Sequence, residues 1–339
     1  MPEIIIIGAG LTGTSLGYFL KKDFVILEKE KVPGGLCRSI KIDGFTFDYS
    51  GHFLHLHQNK TKQLLKNLLE NNLREIQRKS WIYEFDRFIP FPFQANLYYL
   101  PEKIKKECLQ GFIHRPKRNN QNFYNWSLST FGSGITKHFM KPYNEKLWTV
   151  SSKILSSDWA APFVPQPALK DIINGTRNKQ TKSFGYNEYF FYPIKGGIQS
   201  IADAFCEKVS NIKLGTSCLK IDYKRNIIEA SNGKKYNYQF LVSTQPLVKL
   251  LESIINLPGE IRSAAEKLRW NSVVCFNVGV KEDGNSKLAG GKHWIYIPEK
   301  KYPFYRVGFY KNIMPSSCPK NASSMYIEVS HRPNKKINK

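Results

Sequence analysis

Four consecutive isoleucines, Ile4-Ile5-Ile6-Ile7, run into Gly8. A β-branched run with no polar face to turn to water predicts a short strand buried on both sides, as in parallel sheets. Across 12–22 the period changes, and Leu16, Phe19 and Leu20 line one side of a helix. A second apolar run, Phe24-Val25-Ile26-Leu27, stops at Glu28 and predicts the next strand. Pro33-Gly34-Gly35 then predicts a loop and Asp43-Gly44 a hairpin turn. The chain therefore opens on a βαβ unit.

Between about 60 and 185 the pattern differs. Lysine-bearing helical stretches are predicted at 61–71 and 101–110, and the aromatic run Asn122-Phe-Tyr-Asn-Trp126 reads as loop. A strand-rich stretch returns over 212–242, with a hairpin turn at Asn232-Gly233, and the chain to about 330 alternates strands and loops. With 339 residues, two domains are expected. One is placed at 1–60 plus 190–250, interrupted by the other at 61–189 plus 251–330, with 331–339 as a solvated tail.

Composition narrows the class. Hydrophobic residues make up 41% of the chain, enough for a packed core and against disorder. The six cysteines are scattered without a CxxC, which argues against a disulfide framework or a metal site and for a reducing cytoplasm. The net charge of +24 invites a nucleic-acid reading, but the lysines form no stripe and no nucleic-acid motif accompanies them. A basic surface suits anionic small molecules, and leaves peripheral contact with an anionic membrane face open. Glycines at 8, 10, 13 and 17 interrupt the apolar start, so no transmembrane segment is expected. Oligomeric state leaves no signal.

Gly8-Ala-Gly10-Leu11-Thr12-Gly13 is a G-x-G-x-x-G that leaves a strand and opens a helix. Glu28 follows Gly8 by twenty residues, at the end of the second strand. Together these form a dinucleotide fingerprint. The glycines let the backbone turn, approach a pyrophosphate and pack helix on strand, and the helix N-terminus favours the anion. Glu28 can accept hydrogen bonds from ribose hydroxyls, and its charge would repel a 2′-phosphate.

Lys31-Val-Pro-Gly34-Gly35-Leu36-Cys37-Arg-Ser39 resembles the second glycine motif of the FAD-dependent amine oxidase and protoporphyrinogen oxidase superfamily. Leu36 replaces that family's usual Arg, as in its UDP-galactopyranose mutase branch. The resemblance implies an α/β fold: a Rossmann-like FAD/NAD(P)-binding domain with an inserted α+β substrate domain. It implies FAD as cofactor, held by Gly8, Gly10, Leu11, Thr12, Gly13, Glu28, Lys29, Gly34, Gly35, Leu36, Cys37, Ser39, Cys218 and Thr244. Ser50-Gly51-His52-Phe53-Leu54-His55 is similar to a mutase loop near the flavin ring, which implies catalytic roles for His52 and His55. Tyr143, Lys146 and Trp148 match a mutase Tyr-x-x-Lys-x-Trp, Tyr189 a substrate-facing tyrosine, and Arg306 an arginine that binds the substrate pyrophosphate. Arg177 stands one residue out of register with a second such arginine.

Three functions follow. One is a mutase-like isomerase, in which reduced flavin acts at the anomeric carbon of a nucleotide sugar for cell-surface polysaccharide synthesis. Another is an FAD-dependent oxidoreductase of amine oxidase, protoporphyrinogen oxidase or desaturase type, favoured by the Tyr192-Pro-x-x-Gly196-Gly197 ending. The third is a nucleotide-binding remnant, because no Gly-Asp flavin segment is found after Glu328 and a truncated chain, or a flavin site open on one side, is expected.

Overall fold

The computed structural model describes residues 2–117, 121–180, 184–185, 187–282 and 288–332. In it the strand Ile4–Ile7 pairs in parallel with Phe24–Leu27 on one side and Phe240–Ser243 on the other, and Ile212–Lys213 completes a four-stranded parallel sheet. Alternation explains the all-isoleucine strand. Ile4 and Ile6 pack with Phe24, Ile26 and Leu16, on the face that holds the helix Leu11–Phe19. Ile5 and Ile7 face the other way, against Ile221 and Ile228 of a three-stranded antiparallel sheet and Tyr238 just after it. Both faces are covered, so no polar residue is tolerated. The turn at Asp43-Gly44 has two positive φ values, 48° and 79°, and joins Ser39–Ile42 to Phe45–Asp48. That is the two-residue hairpin geometry whose twist matches the strands it connects.

The chain forms two compact units, Met1–Arg74 with Tyr192–Arg269, and Glu75–Phe191 with Trp270–Lys339. The helix Asn59–Leu69 lies in the first unit because it buries Leu65 and Leu69 and packs on the helix Gln199–Cys206. The stretch after 250 is not all strand and loop: Leu247–Ser253 and Gly259–Glu266 are helices of the first unit. The expected boundaries at 60 and 250 therefore fall inside this unit.

The second unit is α+β. Its six-stranded sheet runs in the order Ser272–Lys281, Ala322–His331, Arg306–Phe309, Trp294–Tyr296, Ser80–Glu84, Arg87–Pro90. The strand Ala322–His331 continues through the position where the tail was expected to begin, and 333–339 lie outside the described residues. The aromatic residues 122–126 are not loop. Asn122 accepts a hydrogen bond from the Asn125 N–H at 2.9 Å and caps the helix Phe123–Ile135. Phe123 and Trp126, three apart, share the buried face, so their spacing outweighs their weak helix propensity. A π-helical turn, Thr136–Met140, leads into the helix Lys141–Trp148. Pro142, which lacks an N–H, is the second residue after that turn and removes one donor from the regular ladder.

None of the six cysteines forms a disulfide. Among the described residues no helix is long and apolar enough to cross a membrane, and no group of three His, Cys, Asp or Glu side chains is placed to hold a metal ion.

Candidate functional site

In the first unit the two glycine motifs meet backbone to backbone. Gly10 and Gly34 form a parallel bridge, and the Gly34 N–H donates to the Ala9 carbonyl at 2.8 Å. Gly34 and Gly35 both have positive φ, 115° and 57°, and a Cβ on Gly35 would stand 3.2 Å from the Gly10 Cα. A side chain there would be strained and would wedge the loops apart. Gly10 caps the helix Leu11–Phe19 without a side-chain hydrogen bond, and the first turn carries no acidic residue, so the positive end of the helix dipole keeps its field.

Glu28 is buried and accepts from the Ala9 N–H at 2.7 Å and the Glu30 N–H at 2.9 Å, one on each carboxylate oxygen. Two of its roughly four acceptor sites remain for a ribose diol. Thr244 donates through Oγ1 to the Ile7 carbonyl at 2.9 Å and lies against Gly8. On either side of it the Ser243 Oγ and Gln245 Nε2 are buried without hydrogen-bond partners, as is the Arg38 Nε beside the second loop. Unsatisfied polar atoms around a glycine cradle are what a polar ligand would complete. The residues fit a dinucleotide cofactor.

The remaining first-unit candidates divide. Cys218 is half-buried against the Ile5 and Ile7 cluster, and burial raises its thiol to about 11, so it stays protonated. Cys37 is pushed up to about 11 by burial and by Asp48. Leu36 is 71% exposed and Lys29 is an exposed partner of Glu30. His52 is half-buried with its Nδ1 3.2 Å from the Ser50 Oγ, and His55 is half-buried.

Asp48 is a residue that sequence reading missed. It is buried, and its carboxylate accepts from the Ser39 Oγ at 2.6 Å, the Ile198 N–H at 3.1 Å and the Tyr192 hydroxyl. Gln199 extends the network: its backbone N–H donates to the Ser39 Oγ at 3.1 Å, and its Nε2 donates to the Pro33 carbonyl at 3.1 Å. The second glycine loop is thus tied at both ends. The signal was the Asp that closes the strand Phe45–Asp48, on which the two phenylalanines alternate with Thr46 and Asp48.

Burial raises the Asp48 carboxyl from 3.8 to about 6, against the hydrogen bonds that favour its charge. A raised carboxyl means that the folded state holds a proton the unfolded chain has released, so stability falls as pH climbs from about 4 to about 6. The difference is worth roughly 3 kcal/mol. Asp48→Asn is expected to flatten this dependence, because its Oδ1 can still accept from Ser39 and Ile198 and its Nδ2 can donate to Tyr192. Urea midpoints at pH 4 and pH 7 check it; a variant as pH-sensitive as the parent would assign the effect to another group.

In the second unit Tyr143 and Arg306 belong to one aromatic run. Tyr143 stacks on Phe139 at 5.5 Å, meets Tyr296 edge-on at 5.2 Å and Tyr305 at 6.5 Å. The Arg306 Cζ lies 6.0 Å from the Tyr305 ring. Lys146 fixes the helix that carries Tyr143, donating to the carbonyls of Ile297 at 2.8 Å and Glu299 at 2.9 Å. Burial lowers it to about 8, opposed by Glu84 and Glu299. Arg306 is not a bare cation. Its Nε and Nη2 donate to the two carboxylate oxygens of fully buried Glu328, its cross-strand neighbour, at 2.6 and 2.8 Å. Burial acts against its charge, but Tyr326 and Glu328 outweigh that and keep it protonated. Trp148 turns elsewhere, against Trp159 at 5.7 Å. Tyr189 is half exposed at the start of the strand Tyr189–Pro193, and Arg177 is exposed in the last turn of Leu169–Arg177.

Residues 12–321 match the family described as flavin containing amine oxidoreductase. A crystal structure of reduced UDP-galactopyranose mutase superposes with a TM-score of 0.93 at 31% identity, covering 100% of this chain and 76% of that one. A protein of Exiguobacterium sp. 255-15 assigned as a protoporphyrinogen oxidase superposes with a TM-score of 0.73 at 15% identity, over 98% and 77% of the two chains, which speaks for the fold alone. Among curated proteins, coproporphyrinogen III oxidase of Staphylococcus aureus (strain NCTC 8325 / PS 47) is 22% identical over 241 residues, 62% of this chain and 52% of that protein. The match spans about half the length of that relative.

Proposed function

The chain belongs to the flavin-containing amine oxidoreductase family, on its UDP-galactopyranose mutase-like branch, and from that premise we propose that it is an FAD-dependent enzyme that rearranges the sugar of a nucleotide sugar, in the service of cell-surface polysaccharide synthesis. The observation that carries this reading is the run of rings from Phe139 through Tyr143 to Tyr305, ending at Arg306. A flat aromatic face suits a nucleobase, and a guanidinium suits its phosphates.

Bound FAD supplies, when reduced, an electron-rich nitrogen for an anomeric carbon and, when oxidised, a hydride acceptor. The chain's own residues position it. Gly8, Gly10, Leu11, Thr12 and Gly13 present backbone to the pyrophosphate, with Glu28 on the ribose and Gly34, Gly35 and Ser39 on the second loop. Tyr143 keeps its phenol proton, because burial and the neighbouring Tyr296 hold its ionisation well above the ordinary range, so its hydroxyl remains able to donate a hydrogen bond. Arg306 stays charged and is oriented by Glu328. His52 and His55 are proposed to contact sugar hydroxyls or flavin.

The match to coproporphyrinogen III oxidase supports a second reading, hydride removal from a reduced substrate with oxygen as acceptor. The two separate on the FAD-loaded protein. Turnover of UDP-galactopyranose that appears only after dithionite reduction is expected for the mutase. Oxygen consumption with a porphyrinogen would replace that reading with the second, and a purified protein that takes up no FAD would end both.

A further inference from the structure

Arg306 accounts for one end of the aromatic run; the other end has an arginine as well. Tyr296 meets Phe91 at 5.3 Å, and the Arg78 guanidinium lies over the Phe91 ring, its Cζ 4.6 Å from the centroid. Arg78, just before the strand Ser80–Glu84, lines a cavity of about 260 Å³ together with Lys79, Lys292, Trp81, Phe91 and Glu188. We propose that this cavity is a second anion subsite of the nucleotide-sugar site, taking an oxyanion, carboxylate or phosphate, on the Arg78 guanidinium; the proposal rests on the nucleotide-sugar reading.

Three observations carry it. Charge comes first: three cations line the cavity against one carboxylate, Glu188. Second, the two arginines differ. Arg306 spends two donors on a buried glutamate, whereas Arg78 has no carboxylate within ion-pair distance among the described residues; its backbone N–H bonds the Glu188 carbonyl at 2.9 Å. The Arg78 guanidinium is half-buried, and burial works against its charge, with Tyr296 and Glu188 opposing. A desolvated cation without a counter-ion gains more from an arriving oxyanion than a paired one does. Third, size. At about 260 Å³ the cavity is smaller than the roughly 300–1,000 Å³ that hold drug-sized ligands, so it suits a single acidic group or the ring that bears it.

The oxyanion is either a carboxylate on the sugar or a phosphate of the nucleotide. The test titrates UDP, UDP-galactose, UDP-galacturonate and inorganic phosphate into FAD-loaded wild type, Arg78→Ala and Arg78→Lys by calorimetry, with thermal melting as the folding control. Loss of a charge-assisted contact is expected to weaken binding about 10- to 100-fold in Arg78→Ala. A loss confined to UDP-galacturonate assigns a sugar carboxylate; an equal loss for all three nucleotides assigns a phosphate. Arg78→Lys, which keeps the charge but not the fork, is expected to fall between, and it carries the test if the alanine variant does not fold. Wild type that binds phosphate through Arg78 but no nucleotide would end the nucleotide-sugar reading and leave the anion site standing. Unchanged affinities in both variants, or no binding of any probe, would overturn the site.

Discussion

Arg306→Ala is expected to lose about 3–5 kcal/mol of folding stability, the cost of leaving one member of a buried ion pair behind. Glu328 has no exposed surface, and both of its carboxylate oxygens rest on the Arg306 guanidinium at 2.6 and 2.8 Å. Without that partner the carboxylate must keep an uncompensated charge or take up a proton. The second course raises its folded-state value above that of the unfolded chain, so the deficit is smaller in acid and grows as pH rises past the ordinary glutamate range. Glu328→Gln in the Arg306→Ala background is expected to recover part of the loss, because a neutral amide carries a smaller burial penalty. Denaturant midpoints of the four combinations at pH 5 and pH 8 give the coupling directly. A deficit below about 1 kcal/mol in Arg306→Ala would put this pair among weak surface pairs and remove the argument for a preset arginine.

Gly13→Ala is expected to abolish FAD uptake. A Cβ at this position would stand 1.9 Å from the Gly8 carbonyl oxygen and 3.4 Å from the Ile6 Cγ2. The oxygen is backbone, so it cannot swing aside. Either the helix Leu11–Phe19 lifts off the strand Ile4–Ile7 or the Gly8 turn opens, and each displaces the N–H groups proposed to face the pyrophosphate. Overpacking of a well-filled contact costs about 1–3 kcal/mol, and a clash this short belongs at the upper end. Gly259→Ala is the control, since a Cβ there meets nothing within 4 Å and the residue already opens a helix. Visible flavin absorbance of the purified proteins, with FAD titration by fluorescence quenching, decides it. Gly13→Ala carrying the same FAD as the parent would mean that the third glycine is not needed for helix packing.

The cradle was legible in sequence because its requirements are local. A both-sided strand needs an unbroken apolar run, a tight approach needs glycine, and an acidic strand end needs no more than the strand's length. Ile4–Ile7, Gly8, Gly13 and Glu28 lie within twenty-five residues of one another. The errors were local too. Residues 122–126 were expected as loop, yet burial of Phe123 and Trp126 on one face decided for helix.

Sequence by itself determined the fold class, the FAD fingerprint and the presence of an arginine at 306. It did not determine what that arginine could do. Its partner, Glu328, stands twenty-two residues away and reaches it through strand register, and the acceptor of the Tyr192 hydroxyl, Asp48, stands 144 residues away. Charge pairing and burial depend on which strands become neighbours, and no periodicity along the chain records that. Only the tertiary structure paired Arg306 with Glu328, left Arg78 stacked on Phe91 with no ion pair among the described residues, and made Asp48 the tie of the second glycine loop.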